Sequence, residues 1–306
     1  MHTIAAYIMR GRTQAVSVTT LCAILSFLLP PFTYLSGAPV GLVTLARGPM
    51  YGMQIVAASL VLMGVLAWAA LDSPILALVF AFGVWGPVWL CGLVLRIARS
   101  QTALLLVIGS LAALFVVGMY IVTGDPTVWW RAWLQTVIQS AGGTGAGILD
   151  DELLEHALPY MNATVAAGMT LGLMATVLLA RWWQAILYNP GGFKAEFYSL
   201  RLPRFMTLVA GLLLVLAIVV EGLAQMLVRD LLFVAVTMYL FQGLAVIHQY
   251  VGKRSLSVGW LVALYGLMVL VPPQTVLLVA CVGVADTWLK FGGSGGPGMG
   301  TEAKDR

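Results

Sequence analysis

Glu221 is the one acidic residue deep inside an apolar run, and Gln225 lies one turn further along the same helical face. An ionisable group at membrane depth costs about 2.5 to 3.5 kcal/mol on insertion scales unless it faces protein or water. Asn162 and Gln274 fall in the outer halves of their own apolar runs. Glu221, Gln225, Asn162 and Gln274 therefore make a candidate pocket for a small-molecule solute, open to the outside. The plainer alternative is a protonated Glu221 that hydrogen-bonds between helices.

Other side chains point to less. Asp286 and Lys290 have the i,i+4 spacing of an ordinary interfacial ion pair. Gln242 and His248 are six apart, on different helical faces, which argues against a shared metal site. In the acidic stretch, Asp151 with Glu155 and Glu152 with His156 have a spacing that suits a divalent cation, but such a run more often opens a solvated helix. Cys22, Cys91 and Cys281 lie in apolar runs without metal spacing, so no metal and no cofactor is expected. The chain has no nucleotide-binding G-x-x-x-x-G-K-[ST] loop, no H-E-x-x-H and no G-x-S-x-G elbow. The expectation is a protein that is not an enzyme and that draws any transport energy from an energising module or partner subunit.

The elements that carry these residues must live in lipid. Over 306 residues the chain is 61% hydrophobic and only 9% charged, with mean hydropathy +0.97, whereas a soluble domain keeps roughly a quarter of its residues charged. Apolar segments run over 16–30, 32–46, 50–71, 74–95, 102–122, 158–180, 205–228, 231–251, 256–271 and 274–291. The fold class expected is an all-α polytopic membrane protein, a bundle of about 8 to 10 transmembrane helices with a short broken N-terminal hairpin. Counting ten spans puts Arg10, Arg47, Arg96, Arg99, Arg181, Arg201 and Lys253 inside, and Asp72, Asp125 and Asp230 outside. That is the positive-inside pattern of a multi-pass bacterial inner-membrane protein with both termini cytoplasmic, and it disposes of the net charge of +4 without nucleic acid.

Residues 1–14 read as an uncleaved cytoplasmic N-terminus, 15–291 as the transmembrane domain and the glycine-rich 292–306 as a disordered cytoplasmic tail. The first two segments are about fifteen residues each, roughly 22 Å of helix against a hydrocarbon core near 30 Å. Pro30-Pro31 and Gly37-Ala38-Pro39 break them, so they should be covered by other protein. The outer connection 123–157 carries Trp129, Trp130 and Trp133 before a glycine-rich hinge and reads as an interfacial helix. The inner loop 181–204 sets Trp182, Trp183, Phe193 and Phe197 among basic residues including Arg201. These five are candidates for docking a membrane partner. Gly168-x-x-x-Gly172 and Gly109-x-x-x-Ala113 are small-residue helix-packing motifs.

Three stretches carry a family resemblance. Gly41 to Gly52, Asn189 to Phe197 with Leu200-Arg201-Leu202-Pro203, and Gly283-Val284-Ala285-Asp286-Thr287-Trp288 resemble the YybS-like family of uncharacterised bacterial membrane proteins. That family is distantly similar to the S components of energy-coupling-factor transporters and to MreD, which implies short, broken N-terminal helices and no built-in ATPase. The function expected is a transporter-component-like inner-membrane protein that binds a small solute. The alternative is a structural or assembly protein that docks partners through 181–204.

Overall fold

The computed structural model describes residues 1–140 and 151–289. All of its regular elements are helical among those residues. In chain order they are α1 (His2–Ile8), α2 (Arg12–Leu25), α3 (Phe32–Leu35), α4 (Ala38–Arg47), α5 (Pro49–Leu71), α6 (Ile75–Phe80) and α7 (Gly86–Ala98). There follow α8 (Gln101–Thr123), α9 (Pro126–Ser140), α10 (Asp151–Ala157), α11 (Met161–Tyr188) and α12 (Gly192–Tyr198). The last four are α13 (Arg204–Val219), α14 (Gly222–Lys253), α15 (Gly259–Leu270) and α16 (Pro272–Leu289).

Five helical stretches among the described residues are long and apolar enough to cross a membrane: Pro49–Leu71, Ile75–Ala98, Gln101–Thr123, Leu154–Tyr188 and Gly222–Lys253. The second joins α6 to α7 through a π turn, Ala81–Trp85. Pro87 lacks an N–H and would clash with the carbonyl four residues back, and the widened turn absorbs both demands. It also aims Trp85, fully buried, so that its indole Nε1 donates to Ser36 Oγ at 3.0 Å.

The N-terminal hairpin is broken as its prolines require. α4 is only ten residues, about 15 Å, yet Ala38 through Leu45 are all buried, packed on α5, α7 and α11. The hairpin is tied to α11 as well: the Tyr34 carbonyl, which accepts from Gly37 N at 2.9 Å in its own turn, also accepts from Thr176 Oγ1 at 3.0 Å. Gly172 lies directly under the Tyr34 ring, where a Cβ would collide with it, and Gly109 makes room for Met238 in the same way. Gly168, the other half of its motif, faces open space.

One boundary differs from expectation. Arg229 and Asp230 were expected in an outer loop between two spans; instead both lie inside α14, and the break comes earlier, at Val220-Glu221. Both of those residues are extended and Gly222 follows at φ +66, a left-handed turn that glycine adopts without strain. The charged pair does not interrupt the helix because its side chains find partners within the bundle. The glycine-rich hinge and the tail 292–306 lie outside the described residues.

α16 runs antiparallel to α14, since Gly243 meets Val279 and Gly283 meets Tyr239. Leu289 therefore points toward the Asp230 end of α14, away from the basic Lys253 end where the ten-segment count expects the C-terminus. The outside of the bundle is apolar: Ile218 is 76% exposed and Val269 79%, and α13 and α15 have no buried residue. Surface of that kind is what lipid covers.

A Cβ at Gly243 would run into the Val279 carbonyl, a backbone atom that cannot swing aside. Gly243→Val is expected to lose about 1 to 3 kcal/mol through overpacking, read as a lowered melting temperature in mild detergent. Gly118→Ala, with nothing within 4 Å of its added Cβ, should not be destabilised.

Candidate functional site

The structure disperses the four residues expected to line an outward pocket. Glu221 is not inside a span; it is exposed at the elbow between α13 and α14. Breaking the helix there spares the protein the cost of an acid at membrane depth. Gln225 is also exposed, and its Nε2 donates to the Ala217 carbonyl at 3.1 Å, satisfying the frayed end of α13. Gln274 is exposed in the first turn of α16. The antiparallel register of α14 and α16 places it level with about residue 248, roughly 35 Å of helix from Gln225. Only Asn162 is buried, at 3% exposure, and its partner is Asp230 rather than Glu221: Asn162 Nδ2 donates to Asp230 Oδ2 at 2.8 Å.

The inner loop is folded onto the bundle. Trp183 is buried at 3% exposure, and Trp182 packs against the same core. Phe197 stacks on Phe193 at 6.2 Å and meets His248 edge-on at 5.7 Å. Arg201 pairs with the fully buried Asp286, Nε to Oδ2 at 3.0 Å and Nη2 to Oδ1 at 3.3 Å. The backbone beside it is held too: Thr102 Oγ1 donates to the Arg201 carbonyl at 2.9 Å, and Leu202 N donates to Gln242 Oε1 at 2.9 Å. Gln242 Nε2 completes the latch with Thr287 Oγ1 at 3.2 Å. Trp183 and Arg201 are thus committed to the fold rather than presented to a partner. Asp286, read from spacing as a mate for Lys290, uses Arg201; Lys290 lies outside the described residues.

In the acidic stretch, Glu155 receives a two-pronged bond from Arg131, whose Nη2 is 2.7 Å from Oε2. Asp150 lies outside the described residues. Among those residues no group of three or more His, Cys, Asp or Glu is placed to hold a metal ion.

What the bundle does build is a basic hollow of about 620 Å³ where α4, α7 and α11 end and α12 begins. α4 stops at Arg47, leaving its last carbonyls without helical partners. The Leu45 carbonyl accepts from Arg96 Nη1 of α7 at 2.5 Å and from Gln184 Nε2 of α11 at 3.2 Å. Arg99 ends α7 in the left-handed region, at φ 50, and turns the chain toward α8. Arg181 grips Glu196 of α12 with its Nε at 2.8 Å from Oε2 and with a second, parallel contact. Tyr188 and Asn189 add an O–H and an amide to the lining. Three guanidinium groups face one carboxylate there, so the hollow has unneutralised positive charge and planar donor forks suited to an oxyanion.

In the sequence these arginines read only as charges that fix topology. Arg96 and Arg99 follow one apolar run and Arg181 another, and nothing in the spacing says that the two ends converge. Compared with family models, with curated proteins and with solved structures, the chain matches none.

The Arg201–Asp286 pair is half-covered on one side and sealed on the other, with exposures of 31% and 0%. Arg201→Met leaves a buried carboxylate without its cation and is expected to cost about 3 kcal/mol, seen in detergent unfolding. Arg131→Met, in a pair open to solvent, should leave the melting temperature unchanged.

Proposed function

We propose that this chain is a multi-pass inner-membrane protein of the transporter-component type that binds a phosphate-type anion in the basic hollow at its cytoplasmic end. The observation that carries the reading is the hollow lined by Arg96, Arg99 and Arg181 against Glu196 alone. Its volume is that of a ligand pocket, within the roughly 300 to 1,000 Å³ usual for small molecules. Its setting favours preorganisation, because Arg96 and Arg181 are each tethered by a bond within the protein. The side assignment follows the positive-inside asymmetry. Five stretches among the described residues are long and apolar enough to cross a membrane and α13 and α15 are shorter apolar helices beside them; a total of eight to ten spans is part of this proposal. The resemblance to the YybS-like family is part of the same proposal, as is an energising partner, since the chain has no nucleotide-binding loop.

Phosphate chemistry reaches such a hollow from a phospholipid headgroup or from a soluble phosphate compound, and one preparation separates them. Purified protein in phosphatidylcholine nanodiscs is titrated with inorganic phosphate by calorimetry, and native mass spectrometry scores retained phosphatidylglycerol. Arg99→Gln and Arg181→Gln should each weaken whichever ligand binds by about tenfold or more, the loss of one charge-assisted bond. Unchanged binding in both variants, or no binding of either ligand, would sink the proposal.

The assembly reading keeps one supporting feature. A smaller hollow of about 280 Å³, walled by Trp182, Ile186 and Phe193 beside Lys194, has the size and apolarity to take a partner's anchoring side chain.

A further inference from the structure

Asp230 is 1% exposed, eight residues into α14, and all its hydrogen bonds fall on one oxygen. Tyr120 of α8 donates its O–H to Oδ2 at 3.0 Å and Asn162 of α11 donates Nδ2 to the same atom at 2.8 Å. Asp230 Oδ1 has no hydrogen-bond partner, and neither has Asn162 Oδ1 beside it. Two bare acceptors on two planar groups already joined by one bond need a donor, and neither group as an anion and an amide can supply it. Arg229 does not fill the gap, since its nearest nitrogen is 3.9 Å from Oδ1 and it is bound instead to the Pro159 carbonyl, its guanidinium 4.2 Å over the Tyr160 ring.

We propose that Asp230 is a proton-binding site: a proton on Oδ1 is donated to Asn162 Oδ1, closing a cyclic acid–amide pair across α11 and α14. One proton satisfies both bare acceptors and cancels a negative charge buried in the bundle. Arg229, already solvated by a carbonyl and an aromatic face and 23% exposed, keeps its charge without Asp230. Of the other charged groups at this end, Asp125 caps α9 through Thr127 N at 2.8 Å, and Arg131 and Glu155 of the helices beside it hold one another. Trp130 of α9, 8% exposed with an unpartnered Nε1, is neutral and adds only a donor. Binding forms one O–H bond from a carboxylate oxygen and a proton; release returns the proton to water at the Asp230 end. Deprotonation leaves Oδ1 to the nearest cation, so the Arg229 guanidinium closes the remaining gap and gives up the Pro159 carbonyl. The site thereby couples protonation to the turn that precedes α11.

The full chain in nanodiscs tests this by infrared spectroscopy at neutral pH. The wild type should show the carbonyl-stretch band of a protonated carboxylic acid that Asp230→Asn removes and Asn162→Leu shifts in frequency. Asp230→Asn should also melt with the wild type, because a neutral amide replaces a neutral acid of the same shape. A spectrum in which Asp230→Asn removes no such band overturns the proposal. So does an Asp230→Asn chain that melts far lower or does not fold, the behaviour of a residue that needs its charge.

Discussion

The absence of water around the bundle dictates most of what is seen here. A backbone carbonyl or N–H that leaves its helical ladder at membrane depth must find a protein partner, because nothing else is present to bond it. The interruptions of the apolar helices illustrate this. The Tyr34 carbonyl, in the broken hairpin, bonds Gly37 N in a tight turn and takes the Thr176 hydroxyl as well. The Leu45 carbonyl, stranded at the end of α4, takes Arg96 and Gln184. The interruption at Pro87 is handled within the helix itself by a π turn, and the side chain that turn displaces, Trp85, finds Ser36.

The same constraint turns buried polar side chains into joints. Asp286 ties α16 to the segment before α13, with Gln242 of α14 and Thr102 of α8 holding the neighbouring backbone. Asp230 ties α14 to α8 and α11. The two joints are twelve residues apart on α14, about 18 Å, so that one helix is pinned near both ends. Around the second joint its packing against α16 is by small residues, with Gly243 against Val279 and Gly283 against Tyr239. A helix fixed at two polar points and closely packed on α16 has little freedom to slide, which makes α14 the frame on which α8, α11, α13 and α16 are placed.

Composition and apolar run length were enough to read the long helices: α5 and α8 fall where their runs do, while α11 continues to Tyr188, eight residues into what read as the inner loop. The broken hairpin was legible from its prolines because proline acts locally. Three things were not legible. The first was the side of a charge pair: Arg229-Asp230 looks like a loop when partners are invisible, and those partners, Pro159, Tyr120 and Asn162, are 68 to 110 positions away in the chain. The second was the elbow at Glu221, whose only local mark is the glycine after it. The third was the convergence of Arg96 and Arg99 of α7 with Arg181 of α11, because an apolar run is followed by arginine for topology whether or not the runs meet. Run length reports that a segment is in lipid and says nothing of which segments touch. Of the residues expected to line one pocket, Glu221 is exposed at an elbow while Asn162 is buried against Asp230.

The chemistry at the two ends of the bundle follows from how charge is balanced there. At the Asp230 end an acid is sealed among neutral groups with its nearest cation engaged elsewhere, so the missing charge is most cheaply made up by something as small as a proton. At the opposite end, three cations gather around one acid in a hollow open enough for water. Their mutual repulsion is moderated by solvent and salt, and the tethers on Arg96 and Arg181 prevent them from swinging apart to relieve it. An arrangement of that kind is easiest to sustain when an anion occupies it for part of the time. The proposed proton site and the proposed anion site thus lie at opposite ends of α11: Asn162 belongs to its first turn, while Arg181, Gln184 and Tyr188 belong to its last two. Any shift of α11 along its own axis would be felt at both.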